Sequence, residues 1–413
     1  MKPIPLYMNK KLLFLSITIL FGVFNGCNDA QYPEDIWEPD DQGNATPVIT
    51  MISPSDSAFS GSDVITITGE NFSENMDDIL VYFNSELGEL LSVSKTEIIL
   101  SPPSLISDSV LIKVAIKGAF LFGEYDRYYK LYPRMIKYGN FDPYEESLWG
   151  LEVDNDENVY VGLFIHPEGD IERLRPPNAE RDSSFLHSVL PTPSSMRIGP
   201  GNDMYYLDSF YPYIVKHNLS SGGPSFAAVP GNIADLDFDM NGNLYCGGSG
   251  NAIYTVQTDL TSVTSADYSD INISTIRVYD NYVYVAGTQS AGNADGSDFV
   301  GIWRNQIISP EGALGEKELR VDWQEVSNTS SKISCFTFDE TGKIYISSND
   351  ETGILTIDID SNSTLLYPKI ISGPITKMTW GAGNYLYLNN KGSSNGIYRL
   401  ELSVQGAPYY GRP

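Results

Sequence analysis

The chain is short of positive charge. Its 413 residues hold 26 Lys and Arg against 53 Asp and Glu, a formal net charge of −27. Affinity for DNA or RNA rests largely on cations that neutralise phosphates, so this balance excludes nucleic acid as a partner. Cysteine is scarce as well, with three residues. Cys246 and Cys335 fall two repeat units apart in the pattern described below, which argues against a disulfide; both are expected as small buried apolar residues. The three histidines, His166, His187 and His217, occupy non-equivalent places in that pattern, which argues against a metal centre or a histidine base. No Gly-x-Ser-x-Gly elbow and no phosphate-binding glycine loop occurs. No apolar run reaches the ~20 residues of a membrane-spanning helix. What remains is 41% hydrophobic and 12% aromatic, with 27 Tyr and 36 Gly. That is the composition of a globular, strand-rich chain long enough for two domains.

In residues 1–26, Lys10-Lys11 precede the apolar run Leu12 to Phe24, which ends at Asn25-Gly26, just before Cys27. A basic start, a short apolar core and a small residue before the cut read as a secretory signal. A Cys directly after the small residue resembles the lipobox of bacterial lipoproteins, which implies lipidation at Cys27. An ordinary signal cleaved near that Cys is the alternative. Residues 27–46 are acidic and contain prolines, with Glu34-Asp35 and Glu38-Pro39-Asp40-Asp41; they hold too little apolar content to fold and read as a tether. The tether is similar to the acidic segments behind the lipid Cys of surface-exported lipoproteins in certain Gram-negative bacteria, although a plain solvated linker fits equally. The resemblance implies an outer-membrane lipoprotein at the cell surface, with the membrane as partner through the lipid.

Residues 47–132 alternate in short strands, 48–52, 64–68, 79–83 and 111–116, separated by turn residues such as Ser53-Pro54 and Gly69-Glu70-Asn71. Several strands at this spacing predict a β-sandwich. The pattern Pro47-x-Ile49-x-x-Ile52-x-Pro54, followed by Ile65-x-Ile67-x-Gly69-x-Asn71-Phe72 and Val110-x-Ile112-x-Val114, resembles the IPT/TIG family of immunoglobulin-like domains. Gly69 is expected to permit the turn and Phe72 to return into the core. The resemblance implies a spacer.

Residues 133–413 repeat. The unit is an alternating apolar strand, a polar turn, a second strand carrying an aromatic, and further strands. Its clearest copies run from Ile233 to Tyr245 and from Ile333 to Tyr345. Aligning the others places the second-strand aromatic at Tyr160, Tyr205, Tyr245, Tyr284, Tyr345 and Tyr387, with an insertion of about 20 residues in the fourth unit. Units of ~40 residues with three or four strands are blades of a β-propeller, and six copies make six blades. The fold class is therefore all-β: an immunoglobulin-like β-sandwich followed by a six-bladed β-propeller. The Asp-x-x-Gly-Asn turns resemble those of the NHL family of six-bladed propellers. They lack the extra oxygen ligands of a calcium loop and read as hairpin chemistry. The ring is closed either by Met135 to Tyr138, the favoured strand, or by the tail Ala407 to Tyr410.

The innermost strands supply the candidate site. Between their apolar positions stands the row Glu152, Arg197, Asp237, Arg277, Thr337 and Thr379, whose first four members alternate in sign. One layer away the row reads Gly150, Ser195, Asp235, Thr275, Cys335 and Lys377. These rows read either as inter-blade salt bridges or as a polar central pocket for a charged or hydroxyl-rich ligand. Trp149, Phe164, Phe210 and Tyr211 are expected on the axial rim, where aromatics suit stacking on sugar rings. The ligand-binding candidates are thus Trp149, Glu152, Arg197, Asp235, Asp237, Arg277, Lys377, Phe210 and Tyr211. No catalytic constellation, metal site or cofactor is read. The whole resembles accessory surface lipoproteins of glycan-foraging Gram-negative bacteria, which implies a binding protein with a glycan or other extracellular polymer as ligand. A propeller enzyme of lyase or lactonase type, and an adhesion or assembly protein with an envelope protein as partner, are the alternatives.

Overall fold

A computed structural model describes residues 43–413 apart from 221, 251, 393 and 394. The signal segment, Cys27 and nearly all of the tether lie outside the described residues. Among the described residues no helix is long and apolar enough to cross a membrane.

The N-terminal unit follows from strict alternation. In Ile65–Glu70 the residues Ile65, Ile67 and Gly69 are buried while Thr66 and Thr68 are half-exposed, because successive side chains of a strand point to opposite faces. That strand lies between Val48–Ser53 and Glu97–Ser101, with Glu89–Val93 at the edge. A second sheet orders Gly123–Glu124, Ile112–Ile116, Ile79–Phe83 and Glu86–Leu87, and a third, smaller one joins Ser57–Phe59, Tyr129–Tyr132 and Ser107–Val110. Ile65, Ile67, Val81, Phe83, Ile98, Leu100, Ile112 and Val114 form one core, which Phe72 joins. Gly69 acts differently from the expectation. Its backbone is not left-handed; a Cβ there would lie 2.0 Å from the Val48 carbonyl oxygen and 2.4 Å from the Phe72 ring. The left-handed turn residue is Asn71, at φ 63°. Close approach, rather than turn geometry, requires the glycine.

The C-terminal region forms six antiparallel sheets of four strands. Their first strands are Ser147–Val153, Ser195–Gly199, Asp235–Phe238, Ile271–Tyr279, Ile333–Phe338 and Ile375–Trp380. Each lies against the first strand of the next sheet, and the sixth lies against the first. The fourth strand of the sixth sheet is Met135–Lys137, paired antiparallel with Gly396–Glu401. The fourth sheet carries the insertion as longer strands and the helix Trp323–Ser327. Antiparallel order gives the ring two ends. Links between sheets and the loops joining second to third strands share the upper end; the remaining hairpins share the lower end.

The repeated aspartate and tyrosine make one bond. Asp239 accepts from the backbone N–H groups of Asn241 and Asn243 at 2.9 Å each, and from the Tyr245 hydroxyl at 3.1 Å. Asp339 and Tyr345 repeat this arrangement at 3.1 Å, and Asp154 and Tyr160 at 2.8 Å. The carboxylate closes its own hairpin and satisfies a phenol that would otherwise be buried without a partner. Where the first sheet lacks the turn glycine, Glu157 takes the left-handed conformation at φ 62°, and its carboxylate accepts from Tyr387 of the sixth sheet at 2.7 Å.

Arg134 joins the two units. It is 7% exposed, with its guanidinium 4.1 Å from the Phe59 ring centre and 4.6 Å from that of Tyr367. It donates to Ser62 Oγ at 2.7 Å and to the Glu401 carbonyl at 3.1 Å, and pairs with Asp63.

Candidate functional site

The alternating charges meet one another. Arg197 lies 3.4 Å from Glu152 and 3.3 Å from Asp237, and Arg277 lies 2.8 Å from Asp237. Arg277 stands opposite Tyr284, in register with the equivalent pairs Arg197–Tyr205 and Asp237–Tyr245. All four charged residues are buried. Burial opposes the Arg197 charge, but Asp237, Glu152 and Asp235 outweigh it and push its pKa up. A buried charge is tolerable only when paired in this way.

Two members of this network come from outside the repeats. Tyr409 of the C-terminal tail places its ring centre 3.6 Å from the Arg277 guanidinium, 4.1 Å from that of Arg412 and 5.2 Å from that of Arg197. Its hydroxyl is 3.2 Å from Thr337 Oγ1. Arg412 donates to Glu152 at 2.8 Å, to Thr379 Oγ1 at 2.9 Å and to the Trp380 carbonyl at 2.7 Å. Arg277 also donates to the Pro408 carbonyl at 2.8 Å. The tail therefore occupies the axis at the lower end, and every residue of the row touches it or a member of the row. The sequence offers one signal for this, since Tyr409 and Arg412 follow the last repeat without belonging to it.

One layer up, Asp235 gathers hydroxyls and a cation. It accepts from Ser195 Oγ, from Thr275 Oγ1 at 2.6 Å and from the Ile276 N–H at 3.0 Å. Lys377, on the opposite side of the ring, reaches it at 3.5 Å. Burial alone would raise the Asp235 carboxyl; Lys377, Arg197 and the two hydroxyls win and hold it at about 2. Cys335 of this layer is buried, as is Cys246, and burial pushes both thiols up.

The upper end is open and aromatic. Trp149 is half-buried; Lys391 Nζ lies 4.0 Å from its ring centre, and Asn389 donates to its carbonyl at 2.9 Å. Burial and the nearby Lys377 lower the Lys391 ammonium. Beside it a cleft of about 430 Å³ is lined by Tyr144, Glu145, Glu146, Phe164, His166 and Lys391, among others. The Phe164 and His166 ring centres are 6.0 Å apart. On the second sheet Phe210 is 77% exposed and Tyr211 38%. Tyr211 and Tyr213 lie 5.7 Å apart, as do Tyr213 and Phe226. The structure thus separates the candidates: Glu152, Arg197, Asp235, Asp237, Arg277 and Lys377 lie along the axis, whereas Trp149, Phe210 and Tyr211 lie at the upper end. His187 pairs with Asp170 at 2.8 Å, His217 ends a third strand and His166 lines the cleft, so the three do not converge. Among the described residues no group of three or more His, Cys, Asp or Glu stands ready for a metal.

Comparison with known proteins bears on the fold. Residues 47–129 match the IPT/TIG domain family. No curated protein matches the chain. Among solved structures, an auxiliary nutrient binding protein from Bacteroides thetaiotaomicron is similar with a TM-score of 0.54 at 11% identity, over 86% of this chain and 98% of that one. An auxiliary nutrient binding protein from Bacteroides ovatus gives 0.49 at 10% identity over 86% and 98%. A virginiamycin B lyase from Staphylococcus aureus gives 0.47 at 11% over 65% and 99%. At such identities likeness speaks to fold alone. The chain has an immunoglobulin-like N-terminal domain and a six-bladed-propeller-like C-terminal region.

Proposed function

We propose that this is a lipid-anchored, non-catalytic binding protein of a Gram-negative cell envelope. Residues 47–132 form the spacer, and residues 133–413 a six-bladed β-propeller that takes an extracellular glycan or related polymer on its upper end. The observation that carries the reading is the division of the candidates. The charged row is engaged with itself and with the tail, which leaves it no free face for a ligand. Aromatics instead collect on two neighbouring sheets at the upper end, the half-buried Phe164 lining the cleft and the exposed Phe210 and Tyr211 on the second sheet. Aromatic faces with adjacent polar groups suit sugar rings, and two such places suit a polymer. Similarity of fold to an auxiliary nutrient binding protein and the lipobox-like Gly26-Cys27 agree with it.

The test is a binding screen of the protein starting at Asn28 against a panel of polysaccharides, with reducing-end and unsaturated products read in the same wells. Retention without product supports the proposal. Product formation transfers the protein to the lyase or lactonase class, and silence in both readouts favours a protein partner.

A further inference from the structure

Cations that rest on aromatic faces in this protein are, as a rule, also paired with a carboxylate. Lys216 lies over Tyr205 and pairs with Asp203 at 3.1 Å. Lys317 lies over Tyr268 and pairs with Asp270 at 3.0 Å, and Arg304 lies over Tyr282 and pairs with Glu318 at 3.0 Å. Among the described residues, Arg399 and Lys391 rest on rings without an acid beside them. Arg399 divides its charge between Tyr138 and Tyr385. Lys391 has the Trp149 ring alone, 4.0 Å from its Nζ, and lines the upper cleft with Phe164 and His166. Its place is fixed from both sides, since its backbone N–H donates to the Pro374 carbonyl at 2.9 Å and Asn389 donates to the Trp149 carbonyl. The charges nearby do not neutralise it. Glu146 of the cleft is taken by Arg181, Glu145 is exposed to water, and Lys377 is a second cation whose own partner is Asp235. Burial, and then Lys377, lower the Lys391 ammonium.

We infer that this cleft takes an acidic sugar, a hexuronate of an extracellular polysaccharide, with its carboxylate on the Lys391 ammonium. The inference rests on the reading of the upper end as the polymer-binding face, and it names the chemistry of that polymer. A half-buried ammonium without a counter-charge is destabilising. An incoming carboxylate supplies the missing charge and a charge-assisted hydrogen bond, which is stronger in a partly dry cleft than in open water. A neutral sugar offers the ammonium hydroxyl oxygens only. Phe164, half-buried in the same cleft, gives an aromatic face to the apolar side of the sugar ring. The net charge of −27 opposes a polyanion at long range, but at physiological ionic strength that field is screened beyond about 8 Å and a contact at Lys391 is not. A surface that repels polyanions in general thus admits one where a cation stands unpaired.

The test is titration calorimetry of the full chain at physiological ionic strength with polygalacturonate and with alginate, each beside its carboxyl-reduced, neutral form. The expected result is that at least one acidic form binds about tenfold tighter than its neutral form, and that Lys391→Met abolishes this preference. The same variant should melt no lower than the parent, because it removes an unpaired charge and keeps a side chain over Trp149. Lys95→Met, which removes a charge from an exposed place on the sandwich, should keep the preference. Equal binding of acidic and neutral forms overturns the inference and leaves the polymer reading standing. Binding of neither form overturns it too, and the polymer reading falls with it only if the wider panel is silent as well. An acidic preference that survives Lys391→Met places the anion elsewhere and overturns the inference. If Lys391→Met fails to fold, acetylation of the parent decides: the acidic polymer should protect Lys391 from the reagent, and unchanged labelling overturns the inference.

Discussion

The Arg277 guanidinium lies 3.6 Å from the centre of the Tyr409 ring, so a residue of the fourth sheet and one of the tail share the buried axis. Arg277 is fully buried and is also held by Asp237 and by the Ala407 and Pro408 carbonyls. Away from water a cation over an aromatic face contributes about 2 kcal/mol. Tyr409→Ala is expected to lower unfolding free energy by about 3–5 kcal/mol, through a cavity and an arginine robbed of its ring. Tyr409→Phe keeps the ring, loses only the contact with Thr337 Oγ1 and costs about 1 kcal/mol. Urea unfolding of both variants checks this; equal losses would show that the hydroxyl matters more than the ring.

Arg197→Ala removes the cation between Glu152 and Asp237. Breaking a buried pair from one side leaves uncompensated charge, so a loss of about 3–5 kcal/mol is expected. Arg412 and Arg277 still hold one acid each, which places the loss toward the lower value. A variant as stable as the parent that loses polymer binding would return the charged row to the ligand.

Asp235 gives the axis an acid limit. Its carboxyl is held at about 2, below the ordinary 3.8. A depressed pKa contributes stability that is complete above the unfolded value and is lost as protons bind the native site. The contribution is therefore present at neutral pH and disappears as pH falls from about 4 to about 2, an amount near 2–3 kcal/mol. Asp235→Asn should flatten stability against pH across that window, as measured by chemical unfolding at each pH.

On the upper end the expectation reverses. Phe210 is mostly exposed and Phe164 lines the cleft, so Phe210→Ala should change stability by no more than about 0.5 kcal/mol. Each of Phe210→Ala and Phe164→Ala should weaken retention on a bound polysaccharide by roughly tenfold. Affinity electrophoresis beside a melting curve separates the two quantities.

Arg134 sets the angle between the two units. Arg134→Ala strands the partly buried Asp63 and removes the stack between Phe59 and Tyr367. Lys369 and Glu89, at 2.5 Å, still pair across the junction, but exposed pairs of this kind contribute little. Small-angle scattering should show a broadened distribution of long distances, with each unit's own melting behaviour retained.

Much of this was legible because repetition makes it so. Tyr160, Tyr205, Tyr245, Tyr284, Tyr345 and Tyr387 mark second strands, and all six fall there. The alternating row was legible from the same alignment, since strand period fixes which residues share a face. Tyr409 and Arg412 were not. They follow the last repeat, and their partners Glu152, Arg277, Thr337 and Thr379 stand in four different sheets; no local period records such contacts. Gly69 illustrates a smaller gap, since sequence showed that a glycine was wanted there, but only geometry showed that the reason was the Val48 carbonyl and the Phe72 ring.

The tail also orders events in time. Arg412 meets Glu152 across 260 residues of chain, and Met135–Lys137 cannot find Gly396–Glu401 until nearly the whole polypeptide exists. The ring therefore cannot reach its final packing until the residues from Gly396 to Arg412 have been made. A product that stops at Pro408 would lack Tyr409 and Arg412, leaving Arg277 without its ring and Glu152 without one of its two cations.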